Sequence, residues 1–459
     1  MPKRKRGFTR RNFIRTTGSA AIAGPAVLSA CGKDEVTGPE TRTLKIMQQG
    51  HFVPGYDTWF DEFAMNWGES NGVDVTVEHV SRPDLIQLTI DEIAAGEGHD
   101  LIEHITPPAQ FEPDVHDLRE VNEEAERRFG AQLEFQKRTV LNSKTGKYYG
   151  FAPGWAPNNG DYRRSLWEAE GLPDGPTSYD DLMTVGAAIK ENAGVPIALG
   201  MSDELDAGTY LPGILLAFGA SVQDADHNVV INSPESIAAV QFISQLYASA
   251  QAGGGNPDPF GTNWTSGTNN QLFNGGTASF IINPISHYRS AQKDSSLRAI
   301  ADDNFMTKAL MGPAGVALVP SNISFVYIVP SFSPNLDSAS EFMLALTESY
   351  GDAITQTELY NHPSYPNSAP NQMSQLINDP FGSTPANKLE VLADAATWNT
   401  NVGHPGSDNP ALGEVVFSFI IPRMFANTAM GGMTAEQSVA DAEMQINAIY
   451  TMWRDRGLV

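Results

Sequence analysis

Planar amides, hydroxyls and aromatic rings collect where apolar runs of this chain end. Gln48, Gln49, His51 and Phe52 follow residues 43–47, Thr106, Pro107 and Gln110 follow residues 100–105, and Trp155, Asn158 and Asn159 follow residues 149–153. Such side chains suit a small solute rich in hydroxyls. Rings cover its apolar C–H faces, and amides pair hydroxyls whose unpartnered burial costs about 1–3 kcal/mol each. Trp155 is the leading candidate for a stacking ring, with packing at a junction between domains as its alternative. A satisfied surface or core imidazole is the competing role for His51, His104 and His404, and Trp264 and Trp398 read as either stackers or buried anchors.

Motifs for covalent or metal chemistry are missing. The chain has no His-Glu-x-x-His, no Gly-x-Ser-x-Gly and no Gly-x-x-x-x-Gly-Lys-Ser/Thr, so no enzyme activity, metal or cofactor is expected. Glu123-Glu124 and Asp302-Asp303 adjoin in sequence, so their side chains diverge and read as solvated faces. A glycosidase pair of facing carboxylates would leave no mark in sequence spacing, which keeps that alternative open.

The elements that must hold these residues are alternating strands and helices. Residues 43–47 and 73–77 read as strands, and residues 56–71 as a helix with Trp59, Phe60, Phe63, Ala64 and Trp67 at helical spacing. A helix over 85–95 and a strand over 100–105 complete the pattern of an α/β layer on a mainly parallel sheet. Beyond Gly150 helices dominate: 178–192 with Thr177 or Ser178 as cap, 234–250 capped by Ser233, 338–349, and 435–454 capped by Thr434. Residues 277–283 and 325–329 read as buried strands, and 253–259 as a Gly/Pro/Asn surface loop. With 459 residues, 41% of them apolar, the chain can build two cores.

The first thirty residues differ in kind. They hold seven basic residues and no acid, followed over 14–30 by a weakly apolar run too short and polar to be a stable membrane span. Thr9-Arg10-Arg11-Asn12-Phe13-Ile14 resembles a twin-arginine export signal. Leu28-Ser29-Ala30-Cys31 resembles a bacterial lipobox, in which cleavage leaves an acylated Cys31 as the first residue. Residues 1–31 are therefore expected to be a lipoprotein signal and 32–41 a flexible tether. Cys31 is the only cysteine, so the exported body would hold neither disulfides nor thiolate metal sites. Without residues 1–30, 22 bases face 54 acids, a net charge of −32 that argues against nucleic-acid binding. Solubility and adaptation to high salt both account for that charge.

Several segments, in order, resemble the bacterial extracellular solute-binding proteins that include the maltose-binding protein. They are Tyr149-Gly150-Phe151-Ala152-Pro153, the run from Asp161-Tyr162 to Gly171-Leu172-Pro173, Gly175-Pro176-Thr177-Ser178-Tyr179-Asp180-Asp181-Leu182, and Phe218-Gly219-Ala220 with Ser233-Pro234-Glu235. Leu272-Phe273-Asn274-Gly275-Gly276-Thr277-Ala278 and Met433-Thr434-Ala435-Glu436 complete the set. The resemblance implies an α/β fold of two lobes, each a mainly parallel sheet flanked by helices, hinged about a cleft that closes on ligand. It also implies that 42–154 and 310–349 form lobe one and that 155–309 and 350–459 form lobe two.

By the same resemblance the ligand is a mono- or oligosaccharide or related polyol, and the partners are permease subunits of an ABC importer. The protein would be a monomer in the periplasm or cell envelope, tied to the membrane through Cys31. Asn283 and His287 follow a strand after which the family commonly has a Trp, which this chain lacks. Asn322 and Ser324 stand where a Gly pair is common, and His404 and Asp408 precede a helix able to close the cleft from lobe two. The cleft candidates are thus Gln49, His51, Phe52, Thr106, Gln110, Trp155, Asn158, Asn283, His287, Asn322, Ser324, His404 and Asp408. An exported saccharide-acting enzyme, or a surface sensor or adhesin on the same fold, is the alternative.

Overall fold

Strand β1 (Arg42–Gln49) opens the computed structural model, which describes residues 42–251, 264–321 and 323–459. Cys31, the leader, the tether, the loop 253–259 and Asn322 lie outside the described residues. β1 pairs in parallel with β2 (Val73–Val80) from Arg42 opposite Val73 to Gln49 opposite Val80, and on its other edge with β3 (Leu101–His104). Val326–Ile328 adds a fourth strand antiparallel to β3. Helix α1 (Gly55–Asn71) connects β1 to β2 and buries Tyr56, Phe60, Ala64 and Trp67 against the sheet. Its apolar stripe also stacks Trp59 on Phe63 at 5.3 Å and sets Trp67 edge-on to Phe342 at 5.2 Å. Helix α2 (Arg82–Ala95) begins at Ser81, whose hydroxyl accepts from the Asp84 N–H.

The second sheet departs from expectation. Gly160–Arg163 lies between Phe280–Ile282 and Asn304–Thr307 and runs antiparallel to both; parallel pairing there is limited to a bridge from Ile197 to Phe280. Gly160–Arg163 runs away from the first core, and its neighbours return toward it. Hydrophobic patterning marks a strand as buried but not its direction.

Apolar side chains separate into two large cores. The first takes Leu44 to Ala156, then Leu205, Ile285, Tyr288, Ala291, Ala301 and Met306, and later Val319 to Trp398; the second takes most of Tyr162 to Phe280, Leu310, and Ala411 to Val459. The chain passes between them near 156–162, 280–285, 306–310, 310–319 and 398–411. Tyr350, Ile354, Tyr360, Tyr365, Leu389 and Trp398 all pack into the first core. The boundary expected at 349/350 is therefore not where the packing changes. Capping boxes at Ser178 with Asp181 and at Thr434 with Gln437 start two helices of the second body where the sequence placed them.

Candidate functional site

Where the two bodies face each other, charged side chains meet from both. Arg82, first residue of α2, stretches its guanidinium along the C-terminal edge of the first sheet, and Nη2 donates to Thr106 Oγ1 at 3.5 Å. From the second body, Glu204 caps the helix Leu205–Ala217. Its carboxylate accepts from the N–H groups of Asp206 (2.6 Å) and Ala207 (2.7 Å), as the exposed donors of a helix start require. Arg82 acts electrostatically on both Glu204 and Asp206. Burial pushes Glu204 up to about 7 against the pull of the two N–H groups and Arg82. Asp206 is driven well above the usual carboxylate range by burial and by Glu204 beside it, and its Oδ2 is buried without a hydrogen-bond partner.

Aromatic groups flank this cluster. Tyr360 interacts with Asp206 and packs against His51 (5.3 Å) and Phe52 (6.1 Å). His51 is held neutral, since burial lowers it to about 4, and its ring nitrogens are engaged by Val53 and by Asn361 Oδ1 at 3.1 Å. Gln49, at the end of β1, is buried with Oε1 unpartnered. Trp264 donates its backbone N–H to Ser202 Oγ at 2.6 Å, beside the Glu204 cap. Its ring lies so close over Gly200 that a Cβ there would overlap it, and its indole N–H is buried without a partner.

Thr106 has a second neighbour among the candidates. With Pro107 and Ala109 it lines one side of a cavity of about 10 Å³, roughly the room of one water. Val402, Asp408, Leu412, Gly413 and Val416 line the other side. Gln110 lies against Gly413. Thr106, Gln110 and Asp408 thus stand where the two bodies meet, while His51 and Phe52 pack behind Tyr360 within the first.

The remaining candidates are placed elsewhere. Trp155 is 1% exposed, edge-on to Phe135 at 4.9 Å, with its indole N–H donated to the Pro363 carbonyl, so its ring packs inside the first core. Asn158 donates to the Pro320 carbonyl (2.9 Å), and Ser324 Oγ accepts from Gln136 (3.1 Å), both fully inside the crossing region. Asn283 accepts from Asn269 (3.1 Å), and His287 lies 3.2 Å from Asp161, neither side chain of that pair having any exposure. Those two residues knit the second sheet together. His404 bonds Thr400 at 2.9 Å within its own loop.

Arg82, Glu204, Asp206 and Tyr360 were absent from the sequence-derived set. Arg82 carries a legible signal, because it follows the end of β2 as Gln49 and Thr106 follow their strands. Glu204 carried another, as an acid just before an apolar helical run.

Two α/β bodies joined by repeated crossings, with polar side chains converging between them, define a two-lobed ligand-capturing protein. The family model for bacterial extracellular solute-binding proteins matches residues 54–349, and the chain belongs to that family. Its fold is similar to the maltose-bound MalE3 of T. maritima, at 19% identity and a TM-score of 0.71 over 89% of this chain and 99% of that one. It is likewise similar to a laminaribiose-bound sugar transporter protein of Arthrobacter chlorophenolicus A6 (16%, TM-score 0.71, 88% and 99%). A tagatose-bound ABC transporter solute-binding protein of Thermotoga lettingae TMO aligns at 17% identity and a TM-score of 0.69 over 89% and 99%. No curated protein matches the sequence. The family and these neighbours are binding proteins, not enzymes.

Proposed function

We propose that this protein is the receptor of an ABC importer for a mono- or oligosaccharide, which it captures between its lobes and presents to the permease by closing. The supporting observation is the set Arg82, Glu204, Asp206 and Trp264. Asp206 Oδ2 is a buried carboxyl oxygen without a partner, and the Trp264 indole N–H is a donor without an acceptor. A hydroxyl is both donor and acceptor, and a sugar offers several. We assign the lobes as 42–154 with 310–398, and 155–309 with 399–459, with Ile285, Tyr288, Ala291, Ala301 and Met306 packing across onto the first core. Of the sequence-derived candidates, Gln49, His51, Phe52, Thr106, Gln110 and Asp408 stay in the proposed cleft.

The test is a thermal-shift panel containing maltose, laminaribiose and tagatose, the ligands named for the structural neighbours. A bound sugar raises the melting temperature by mass action, about 2.7 kcal/mol at one hundred times Kd, and is recovered intact. Arg82→Ala and Asp206→Asn should each abolish the shift while leaving the ligand-free melt in place. Hydrolysed sugar would replace this reading with the glycosidase alternative.

We further assign residues 1–31 as a twin-arginine lipoprotein signal and Cys31 as the acylated anchor, which places the protein at the membrane surface outside the cytoplasm. Cys31→Ser should move it from the membrane fraction to the soluble exported fraction. Retention in the membrane would remove the anchor from the account.

A further inference from the structure

Gly413 sits in the middle of the helix Pro410–Phe417 of the second lobe, where glycine is less favourable than alanine. Its backbone does not need glycine, because it is absent from the residues with positive φ. What excludes a side chain is the other lobe: a Cβ would stand 2.7 Å from Gln110 Oε1, 2.8 Å from the Gln110 backbone nitrogen and 3.4 Å from the Ala109 carbonyl carbon. Gln110 Oε1 can swing away. Its backbone nitrogen cannot, because Ala109–Asp114 is a 3-10 turn that follows β3 after four residues and is rooted in the first core through Ala109 and Phe111. A methyl group at 413 fits only if helix and turn separate.

The same interface holds a sign that it opens. The cavity beside Gly413 is lined by Thr106, Pro107 and Ala109 from one lobe and by Asp408, Leu412 and Val416 from the other. Asp408 uses one carboxylate oxygen on Asn401 Nδ2 (2.8 Å) and the Gly403 N–H (2.7 Å), while Oδ2 is buried with no partner. While the face is shut only that water-sized cavity can serve this oxygen, whereas separation of the helix from the turn opens it to bulk solvent. Next to this face, the loop before the helix is tied to both lobes. The Asp408 N–H donates to the Arg138 carbonyl and Ser407 Oγ accepts from the Ser143 N–H on one side; Gln223 Nε2 donates to the Gly403 and Ser407 carbonyls on the other. That loop keeps its bonds as a pivot while the face beside it parts.

We propose that Gly413 is the contact on which the lobes come to rest when the cleft closes, a positioning residue whose missing side chain sets how completely the protein shuts. The proposal rests on the two-lobe capture reading and adds the residue that limits the motion. Gly413→Ala would act as a wedge. It should leave the ligand-free protein at the same or a higher melting temperature, because alanine favours the helix once the face is open. Affinity for the sugar that gives the largest shift among maltose, laminaribiose and tagatose should weaken roughly tenfold or more, because the closed state is less populated.

Spin labels at Asp84→Cys and Asp203→Cys, exposed on opposite lobes, read the motion directly with Cys31 replaced by Ser. Wild type should gain a shorter interlobe distance with that sugar, and Gly413→Ala should gain it incompletely or not at all. A ligand-free melt lowered by several degrees would show a permanent contact and overturn the proposal whatever the ligand is. Wild-type affinity and wild-type closure in Gly413→Ala would overturn it as well. Failure of all three sugars to bind counts against the sugar reading alone, and the ligand-free melt still decides between a transient and a permanent contact.

Discussion

Glu103 is a fully buried carboxyl of the first lobe. Across the sheet it faces Tyr327, whose hydroxyl acts on it as a hydrogen-bonding neighbour, and continuing the β1–β3 register brings Gln48 alongside, both of whose amide ends are buried without partners. Burial pushes Glu103 from 4.5 up to about 8, with the Asp57 charge adding to the rise. Between those two values the folded state holds a proton that the unfolded state releases, so stability falls as pH rises, by up to about 1.4 kcal/mol per unit. Glu103→Gln should lose that decline, and urea unfolding across the window measures it. Parallel pH curves for the two proteins would contradict the assignment. Trp155 makes the opposite point about legibility. Its ring type and strand-end position read as a ligand stacker, but tight packing on Phe135 and His362 is a tertiary fact with no sequence mark. Trp155→Ala should cost about 3–5 kcal/mol of stability, seen by urea melts, where a pure ligand contact would cost almost none.

At the scale of elements, the first lobe was read well because alternation and helical spacing each have one dominant reading there: β1, α1, β2, α2 and β3 all form. The antiparallel direction of the second sheet and the packing of 350–398 on the first core both depend on where the chain returns, which local patterning does not encode. One buried ion pair shows what holds that segment. Arg289, on the helix Ser286–Lys293, bonds Asp379 through both guanidinium nitrogens, at 2.7 and 3.1 Å, with 1% and 0% side-chain exposure. Removing one partner leaves the other charge buried, so Arg289→Met should destabilise the protein by about 3–5 kcal/mol. Urea unfolding checks it; a loss below about 1 kcal/mol would mean the pair is hydrated.

Across the whole molecule the acidic excess is the dominant long-range force. The full chain carries −25, and most of the acids are spread over its surface. Raising salt from about 0.1 M to about 1 M shortens the screening length from about 10 to about 3 Å and relieves that repulsion. The melting temperature should therefore climb over this range with sodium chloride, and a flat or falling profile would remove self-repulsion from the account. Residue order alone conveyed the two-lobed plan, through motifs spread along the chain. The Arg82–Glu204–Asp206 cluster stayed hidden because residues more than a hundred positions apart meet only once both lobes have folded and approached.

Small-angle X-ray scattering of residues 42–459, with and without the best sugar of the panel, addresses the capture claim most directly. The radius of gyration should contract on binding in the wild type and stay fixed in Asp206→Asn. A saccharide that binds with no contraction, or contraction that persists in Asp206→Asn, would contradict a cleft that shuts around its ligand through these residues.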